Sequence, residues 1–342
     1  MDVPPTNLGL WYARWLKFRD WKARQRKYGD RAFYEICAIR ERHSVTSLCY
    51  VGSYNNGDYA KMESELRKCK KISPRDVSFI LDDIIENLRE MDSVVSEVSA
   101  ASTASAASTK NTVPINKTNY HYLEFKPIIS QDVAAWLQKY DPRDVVELLL
   151  RYECLCPQGQ QWAVPKSWLE SIKAEYGLDL IAFASPINKG VDAPYCSGYT
   201  EDKRFGSLGS VFKLGPDWIE QFSLRRCTIE INPPFIEQIL SDAASFVEGL
   251  LRRAAEMRNP PKITILYIGP DWTDADFYTR ITERISGVRT VTVQPIKLVS
   301  GTYSYENSEG KTINTSQSSW LFVITNYYMV DVKLKEFIRK HE

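Results

Sequence analysis

The chain has 342 residues, of which 44% are hydrophobic and 25% charged, and its formal net charge is +1 at pH 7. This balance is typical of a soluble globular protein with two domains, and no apolar run is long enough to predict a membrane span. Seven scattered cysteines and only three histidines argue against a disulfide framework, a metal site and histidine-based hydrolysis. Because the N-terminus lacks a secretory signal pattern, we expect a nuclear or cytoplasmic protein.

Residues 1–92 are predicted to form an N-terminal helical region. Residues 8–42 are predicted to form one long helix or two, because Trp11, Tyr12, Trp15 and Phe18 recur at helical spacing. The aromatic side favours docking against a core, and the opposite side is basic and available to RNA phosphates. The basic candidates for RNA binding are Arg14, Lys22, Arg24, Arg26 and Lys27.

Helix-start signals recur through the first half of the chain. They consist of a capping residue or a proline, at Ser73, Ser130, Asp141 and Pro165. The acidic residues Asp82, Asp83 and Glu86 indicate a solvated helix face rather than a catalytic pair. Residues 93–118 consist largely of Ser, Ala and Thr, which predicts a linker, and residues 119–176 are predicted to continue the helical region.

From residue 177 to 342, short β-rich runs alternate with longer helical stretches. This alternation predicts an α/β domain with a Rossmann-like, mainly parallel sheet covered on both faces. The predicted strands are 178–185, 227–231, 262–269, 288–296 and 319–326, and the predicted helices are 236–258, 273–286 and one from about residue 331. Ligands bind outside the carboxyl ends of such strands, so the turns 185–188, 232–235 and 269–271 are predicted to share a candidate active edge.

The turn Asn232-Pro233-Pro234-Phe235 ends a predicted strand with two residues that lack a backbone N–H. The side-chain oxygen of Asn232 can accept one N–H of an exocyclic amino group, and the Pro233 carbonyl can accept the other. The prolines hold φ near roughly −65°, and Phe235 offers a face on which a base stacks with about 1–3 kcal/mol. A stiff turn without chemistry is the alternative, but the position between a strand and a long helix favours a site that orients an amino group.

Eight segments around this turn occur in a characteristic order. They are WAVPKSWLESI (162–172), FASPIN (183–188), YCSGY (195–199), FGSLGS (205–210), EINPPFIEQIL (230–240), KITILYIGPDW (262–272), LVSGTYSY (298–305) and SSWLFVIT (318–325). With them the sequence resembles the phosphorylated-CTD-interacting factor family, the cap-specific adenosine N6-methyltransferases, over about residues 120–326. A WW module, through which the animal family member contacts the polymerase tail, is expected to be absent, which leaves a polymerase contact doubtful.

The resemblance implies a helical domain packed on a Rossmann-like methyltransferase domain. It implies S-adenosyl-L-methionine as the methyl donor and the first transcribed adenosine of capped mRNA as the acceptor. By the same resemblance Asn232, Pro233, Pro234 and Phe235 are catalytic. The donor is implied to bind Ser185, Pro186, Asn188, Phe205, Gly206, Ser207 and Glu230.

Lys203 and Arg204 lie in the sequence beside the implied donor pocket. This position makes them candidates for binding a cap phosphate. A solvated loop is the alternative interpretation of that pair. Two other functions also remain open at this stage. The corner formed by residues 232–235 would equally serve a DNA adenine N6-methyltransferase. An inactive RNA-binding scaffold would keep the fold, although the intact NPPF sequence argues against a scaffold.

Overall fold

The computed structural model describes residues 8–28, 57–68, 72–86, 129–153, 162–288 and 290–327. The chain divides into two compact units, of which unit 1 comprises residues 1–128 and 134–159, and unit 2 comprises residues 129–133 and 160–342. The predicted linker and the predicted last helix lie outside the described residues, as do residues 29–42 of the first predicted helical segment. The domain boundaries drawn from the sequence therefore stay predictions.

The described part of unit 1 is helical. Its helices are α1 (Leu8–Gln25) with a 3-10 turn at Arg26–Tyr28, α2 (Gly57–Lys68), α3 (77–86) and α5 (Pro142–Glu153), while α4 (Gln131–Leu137) spans the boundary between the two residue ranges. The start of α5 is as predicted, because the Arg143 N–H donates to the Asp141 carboxylate at 2.7 Å. Before α3, the backbone carbonyl of Ser73 accepts the N–H of Asp76 at 2.9 Å, and Asp76 is the last residue before the helix.

The described aromatic residues of the predicted stripe on α1 pack inward as expected, while the side chains of Trp11 and Tyr12 lie outside the described part of the chain. Trp15 and Phe18 are buried, and Trp21, which the sequence did not single out, is completely buried. The expected solvated acidic face on α3 is wrong at Asp83, because its carboxylate accepts a hydrogen bond from Arg24 at 3.0 Å. The negative charge of Asp83 is paired with the Arg24 guanidinium of α1 within unit 1, and it is not simply solvated.

Among the described residues, unit 2 combines a five-stranded sheet and a separate two-stranded hairpin with helices. The strands are β1 (Leu180–Ile181), β2 (Arg226–Ile231), β3 (Lys262–Pro270), β4 (Thr292–Leu298), β5 (Ser304–Glu306), β6 (Thr312–Asn314) and β7 (Ser319–Thr325). The α-helices are α6 (Lys166–Tyr176), α7 (Val211–Leu214), α8 (Glu237–Glu256) and α9 (Asp276–Thr279), which runs into a π-helix at Arg280–Ile285; 3-10 turns lie at Thr200–Phe205 and Pro216–Phe222. No helix among the described residues has the length and apolarity needed to cross a membrane.

The sheet is mixed rather than mainly parallel. Its strand order is β1-β2-β3-β7-β4, and β1, β2 and β3 are parallel, whereas β7 runs antiparallel to both β3 and β4. The reason lies in the connection: β4 ends at the carboxyl edge of the sheet, the β5–β6 hairpin follows there, and the chain re-enters in the opposite direction. An antiparallel partner needs no helical crossover, so the short segment between β4 and β7 suffices.

Two hydrophobic clusters cover the two faces of the sheet. On β2, Cys227, Ile229 and Ile231 belong to the cluster that packs against α8. The other face carries Glu230 and Asn232 and is covered by a second cluster built from α6, the end of β4 and the β5–β6 hairpin. Both faces of β2 are buried, so polar residues in an alternating pattern lie inside the protein and not in solvent.

Candidate active site

The carboxyl edge of the sheet brings together the three turns that the sequence predicted. Because β1, β2 and β3 are parallel and in register, the turns that follow them lie along one edge. The segment between β4 and β7 also lies there, since Leu298 and Pro270 both pair with Ser319 at the start of β7. The sequence alone did not predict this last contribution, because it follows from the antiparallel direction of β7.

The Asn232 side chain is held in one orientation. Its amide nitrogen Nδ2 donates to the Trp162 carbonyl at 3.3 Å, and the residue is 9% exposed. A carbonyl only accepts, so the NH₂ group must point to Trp162 and the oxygen Oδ1 must point away. Among the described residues Oδ1 receives no hydrogen bond, and it is not sealed from solvent. Asn232 therefore presents a free acceptor at the active edge.

The two prolines provide a second acceptor beside it. The Pro234 carbonyl accepts the Ile236 N–H at 2.7 Å, which closes the turn before α8. The Pro233 carbonyl accepts no hydrogen bond from the described part of the chain. The Pro233 ring fixes φ of this residue and the following Pro234 restricts its ψ, so the direction of the carbonyl does not depend on such a bond. Asn232 Oδ1 and the Pro233 carbonyl are thus two acceptors on neighbouring residues, and an NH₂ group could donate one N–H to each.

Aromatic rings surround this corner. Phe235 is half-buried, and its ring centroid lies 6.3 Å from that of Tyr305 with the planes at 80°. Trp162 is also half-buried and stacks on Tyr305 at 6.0 Å with the planes at 25°. The quoted segments contained Trp162 and Tyr305, but sequence reasoning gave them no role, because the backbone pairing that joins them is non-local.

A polar group lies beneath the corner, two residues before Asn232. Glu230 is buried, its Oε2 atom has no hydrogen-bond partner among the described residues, and burial raises the pKa of its carboxyl to about 8. The Tyr303 hydroxyl nearby is buried and makes no well-formed hydrogen bond within the part of the chain that the structure describes, while the Tyr305 hydroxyl lies 3.3 Å from Ser319 Oγ. Buried polar groups are normally paired, so an unpaired carboxyl at an active edge indicates a site for a ligand.

Part of the chain is similar to known mRNA methyltransferases. Residues 130–295 match the family model described as "Phosphorylated CTD interacting factor 1 WW domain". The chain is 31% identical over 117 residues to an mRNA (2'-O-methyladenosine-N(6)-)-methyltransferase of Mus musculus, and 30% identical over the same length to that of Homo sapiens. The alignments cover 34% of this chain and only 15% of each relative. The similarity supports a methyltransferase-like protein.

The expected absence of the WW module is wrong. The matching model carries the name of that module, and the matched residues extend from α4 to the middle of β4. The prediction assumed a small separate module, whereas the match covers much of unit 2. The reason for doubting a polymerase contact is therefore removed, and the resemblance to the family is supported by the two curated relatives.

The implied donor residues after β1 form a closed turn. The Asn188 side-chain oxygen accepts hydrogen bonds from the Ser185 N–H at 2.6 Å and from the Ser185 hydroxyl at 2.8 Å. Ser185 and Pro186 are buried, and Asn188 is half-buried. These side chains rigidify the loop at the active edge, and the Asn188 oxygen is already engaged within it.

The other implied donor loop lies next to β1, to which it is joined through Tyr195. The Tyr195 hydroxyl donates to the Phe205 carbonyl at 2.8 Å, and Ser207 Oγ accepts the Gly209 N–H at 3.0 Å. Gly206 has φ +89°, and a β-carbon placed there would meet no heavy atom of the described residues within 4 Å. The backbone at Gly206 is therefore open, which suits the close approach of a ligand.

The predicted RNA-binding residues belong to both units. In unit 1, Arg24 is paired with Asp83, and Lys27 is exposed with its Nζ 4.8 Å from the Tyr28 ring centroid. The side chains of Arg14, Lys22 and Arg26 lie outside the described part of the chain. In unit 2, Lys203 and Arg204 are half-buried and both make contacts within the protein.

Proposed function

We propose that this protein transfers a methyl group from S-adenosylmethionine to N6 of adenosine in RNA, at the first transcribed nucleotide beside the cap. The observation that carries this proposal is the orientation of the Asn232 amide. Its nitrogen is held by the Trp162 carbonyl, while neither Oδ1 nor the neighbouring Pro233 carbonyl accepts a hydrogen bond from the described residues. The partial similarity to mRNA methyltransferases supports the choice of RNA.

The chemistry assigned to this corner is orientation of a weak nucleophile. The lone pair of an exocyclic amino group is delocalised into the purine ring, so the nitrogen attacks poorly while it stays planar. Asn232 Oδ1 and the Pro233 carbonyl each hold one N–H, which favours a tetrahedral nitrogen with its lone pair directed away from both. Neither acceptor has to reorganise, since one is fixed by a hydrogen bond and the other by two proline rings.

The donor residues proposed from the resemblance fit a ligand of this kind. The unpartnered Oε2 of Glu230 is available to a hydrogen-bond donor, and the backbone at Gly206 is open to close approach. S-adenosylmethionine, when bound, supplies a methyl group activated on a sulfonium. Its binding residues are proposed to be Ser185, Pro186, Asn188, Phe205, Gly206, Ser207 and Glu230.

A Rossmann-like catalytic domain over residues 177–342 is part of the same proposal. Residues 1–92 and 119–176 would form the helical part, with residues 93–118 as a linker between them. Capped mRNA is the proposed partner, bound in part by the basic residues of α1 and by Lys203 and Arg204. The WW-domain match makes the polymerase tail a second partner to test.

Methyl transfer to matched substrates tests the function. Labelled S-adenosylmethionine is offered with capped RNA that begins with adenosine, the same RNA without a cap, and a DNA oligonucleotide of the same sequence. We expect transfer to the capped RNA. Preferred transfer to DNA would identify a DNA adenine methyltransferase, and RNA binding without any transfer would identify a scaffold.

Two variants link that activity to the corner. Asn232→Ala is expected to abolish transfer while donor binding, measured by calorimetry, is retained, because the amide contacts the acceptor rather than the donor. Asn259→Ala, an exposed asparagine before β3 at the opposite edge, is the matched control and is expected to behave like wild type. Undiminished transfer by Asn232→Ala would contradict the proposed role of the amide.

A further inference from the structure

Trp162 occupies a position fixed from two sides. Its neighbour Ala163 exchanges two backbone hydrogen bonds with Glu306 of β5, at 2.8 and 2.9 Å. The Glu306 carboxylate also accepts the Lys166 N–H at 3.1 Å, at the start of α6. These bonds hold the backbone before α6 against the β5–β6 hairpin, and so place the Trp162 carbonyl where it holds the Asn232 amide.

The indole ring of Trp162 is only half-buried and lies in the same aromatic cluster as Phe235. Both rings contact the buried ring of Tyr305, one nearly parallel to it at 25° and the other nearly perpendicular at 80°. Trp162 and Phe235 are therefore steeply inclined to each other. A planar base cannot stack between them as in a slot, but it can stack on one ring and meet the other with its edge.

The two acceptors of the corner do not by themselves select adenine. Asn232 Oδ1 and the Pro233 carbonyl would repel a base that presents a carbonyl oxygen, such as uracil. They would accept the amino group of cytosine as readily as that of adenine, because both groups offer two N–H donors. Selection between these two bases therefore requires a contact that depends on the size of the ring.

We propose that Trp162 is the second wall of the acceptor-base pocket and that it selects adenine over cytosine. In this arrangement the base stacks on Phe235, its amino group is held by Asn232, and the larger purine ring system reaches the indole while a pyrimidine does not. The proposal rests on the proposed function and names the residue that sets its base specificity. An aromatic contact of this kind corresponds to roughly a twofold to tenfold preference.

The test compares RNA that begins with adenosine against RNA that begins with cytidine. Affinity is measured by fluorescence anisotropy of labelled capped RNA in the presence of S-adenosylhomocysteine, and methyl transfer is measured separately as kcat and KM. Trp162→Leu keeps an apolar side chain, although a smaller one, and the backbone carbonyl that holds Asn232. We expect it to weaken binding and raise KM for the adenosine RNA about twofold to tenfold, with kcat and the cytidine affinity nearly unchanged.

Trp168→Leu is the control for a loss of packing. Trp168 lies on α6 in the same cluster, is buried, and contacts Tyr303 at 5.4 Å between ring centroids. Its replacement is expected to lower the melting temperature and leave the ratio of adenosine to cytidine affinity unchanged. Trp162→Phe retains a smaller ring and is expected to keep part of the preference, which a purely structural role of Trp162 would not predict.

The outcomes separate the two proposals. If wild type transfers no methyl group to any adenosine substrate, the proposed function is wrong. If wild type is active and folded Trp162→Leu keeps both its adenosine affinity and its base preference, only the role of Trp162 is wrong. If Trp162→Leu does not fold, Trp162→Phe and Trp162→Tyr, which keep smaller aromatic rings, replace it in the test. An unchanged preference for adenosine over cytidine in both variants would equally overturn the role of Trp162.

Discussion

The buried carboxyl of Glu230 predicts how the stability of the protein depends on pH. Burial raises its pKa from the ordinary value of 4.5 to about 8. Between these values the folded protein keeps the proton that the unfolded chain releases. The contribution of this carboxyl to folding stability is therefore greatest below pH 4.5 and is lost as the pH rises towards 8. The slope is about 1.4 kcal/mol per pH unit, which amounts to a loss of about 3 kcal/mol between pH 5 and pH 7.5.

Glu230→Gln removes this contribution, because glutamine has the shape of the protonated acid and does not titrate. We expect the wild-type free energy of unfolding to fall by about 3 kcal/mol more than that of Glu230→Gln over this pH range. Urea titrations followed by circular dichroism measure both curves, and comparing them cancels the titration of every other group. Glu283→Gln, at an exposed site on the π-helix, is the control and is expected to follow wild type. Parallel curves for wild type and Glu230→Gln would refute the argument from burial.

Three further changes have defined outcomes. Phe235→Ala should weaken the acceptor step by about 1–3 kcal/mol through lost stacking, which kcat/KM at low RNA concentration measures; an unchanged value would speak against stacking. Asn232→Asp cannot donate to the carbonyl that orients it and should lose roughly 100-fold in kcat, with donor affinity as the control. The hydrogen bond from Lys297 holds the pKa of Asp271 below its ordinary value, so Asp271→Asn should destabilise the protein at pH 7. That difference in unfolding free energy should close as the pH falls below about 4, and a constant difference would contradict it.

Local sequence signals predicted elements of unit 2 well where the apolar pattern of a single strand or helix is sufficient to recognise it. The predicted strands at 227–231 and 262–269 and the predicted helix at 236–258 agree with β2, β3 and α8 within two residues at each end. The sheet direction was predicted less well. The apolar run at 319–326 indicated a strand, but no local signal distinguishes a parallel from an antiparallel partner, and the short hairpin strands β5 and β6 carry little apolar periodicity.

In the candidate site, likewise, the features set by adjacent residues could be predicted from the sequence, and those set by distant residues could not. The acceptor pair could be expected from the sequence, because an asparagine and two prolines at a strand end have limited ways to present their oxygens. The sequence did not reveal which way the amide points. That direction is set by the Trp162 carbonyl, 70 residues earlier in the chain. The burial of Glu230 was equally hidden, because its covering residues Tyr303 and Tyr305 follow a different strand.

The β5–β6 hairpin connects these non-local features. Its Glu306 pairs with Ala163 and so fixes the carbonyl beside Asn232, while the neighbouring Tyr305 supports the rings of both Trp162 and Phe235. The antiparallel return of the chain at the carboxyl edge is what brings this hairpin to the turn after β2. The departure from a parallel sheet therefore places a backbone acceptor and an aromatic support where the proposed amino group is held, and a fully parallel connection would have carried the chain away from that edge.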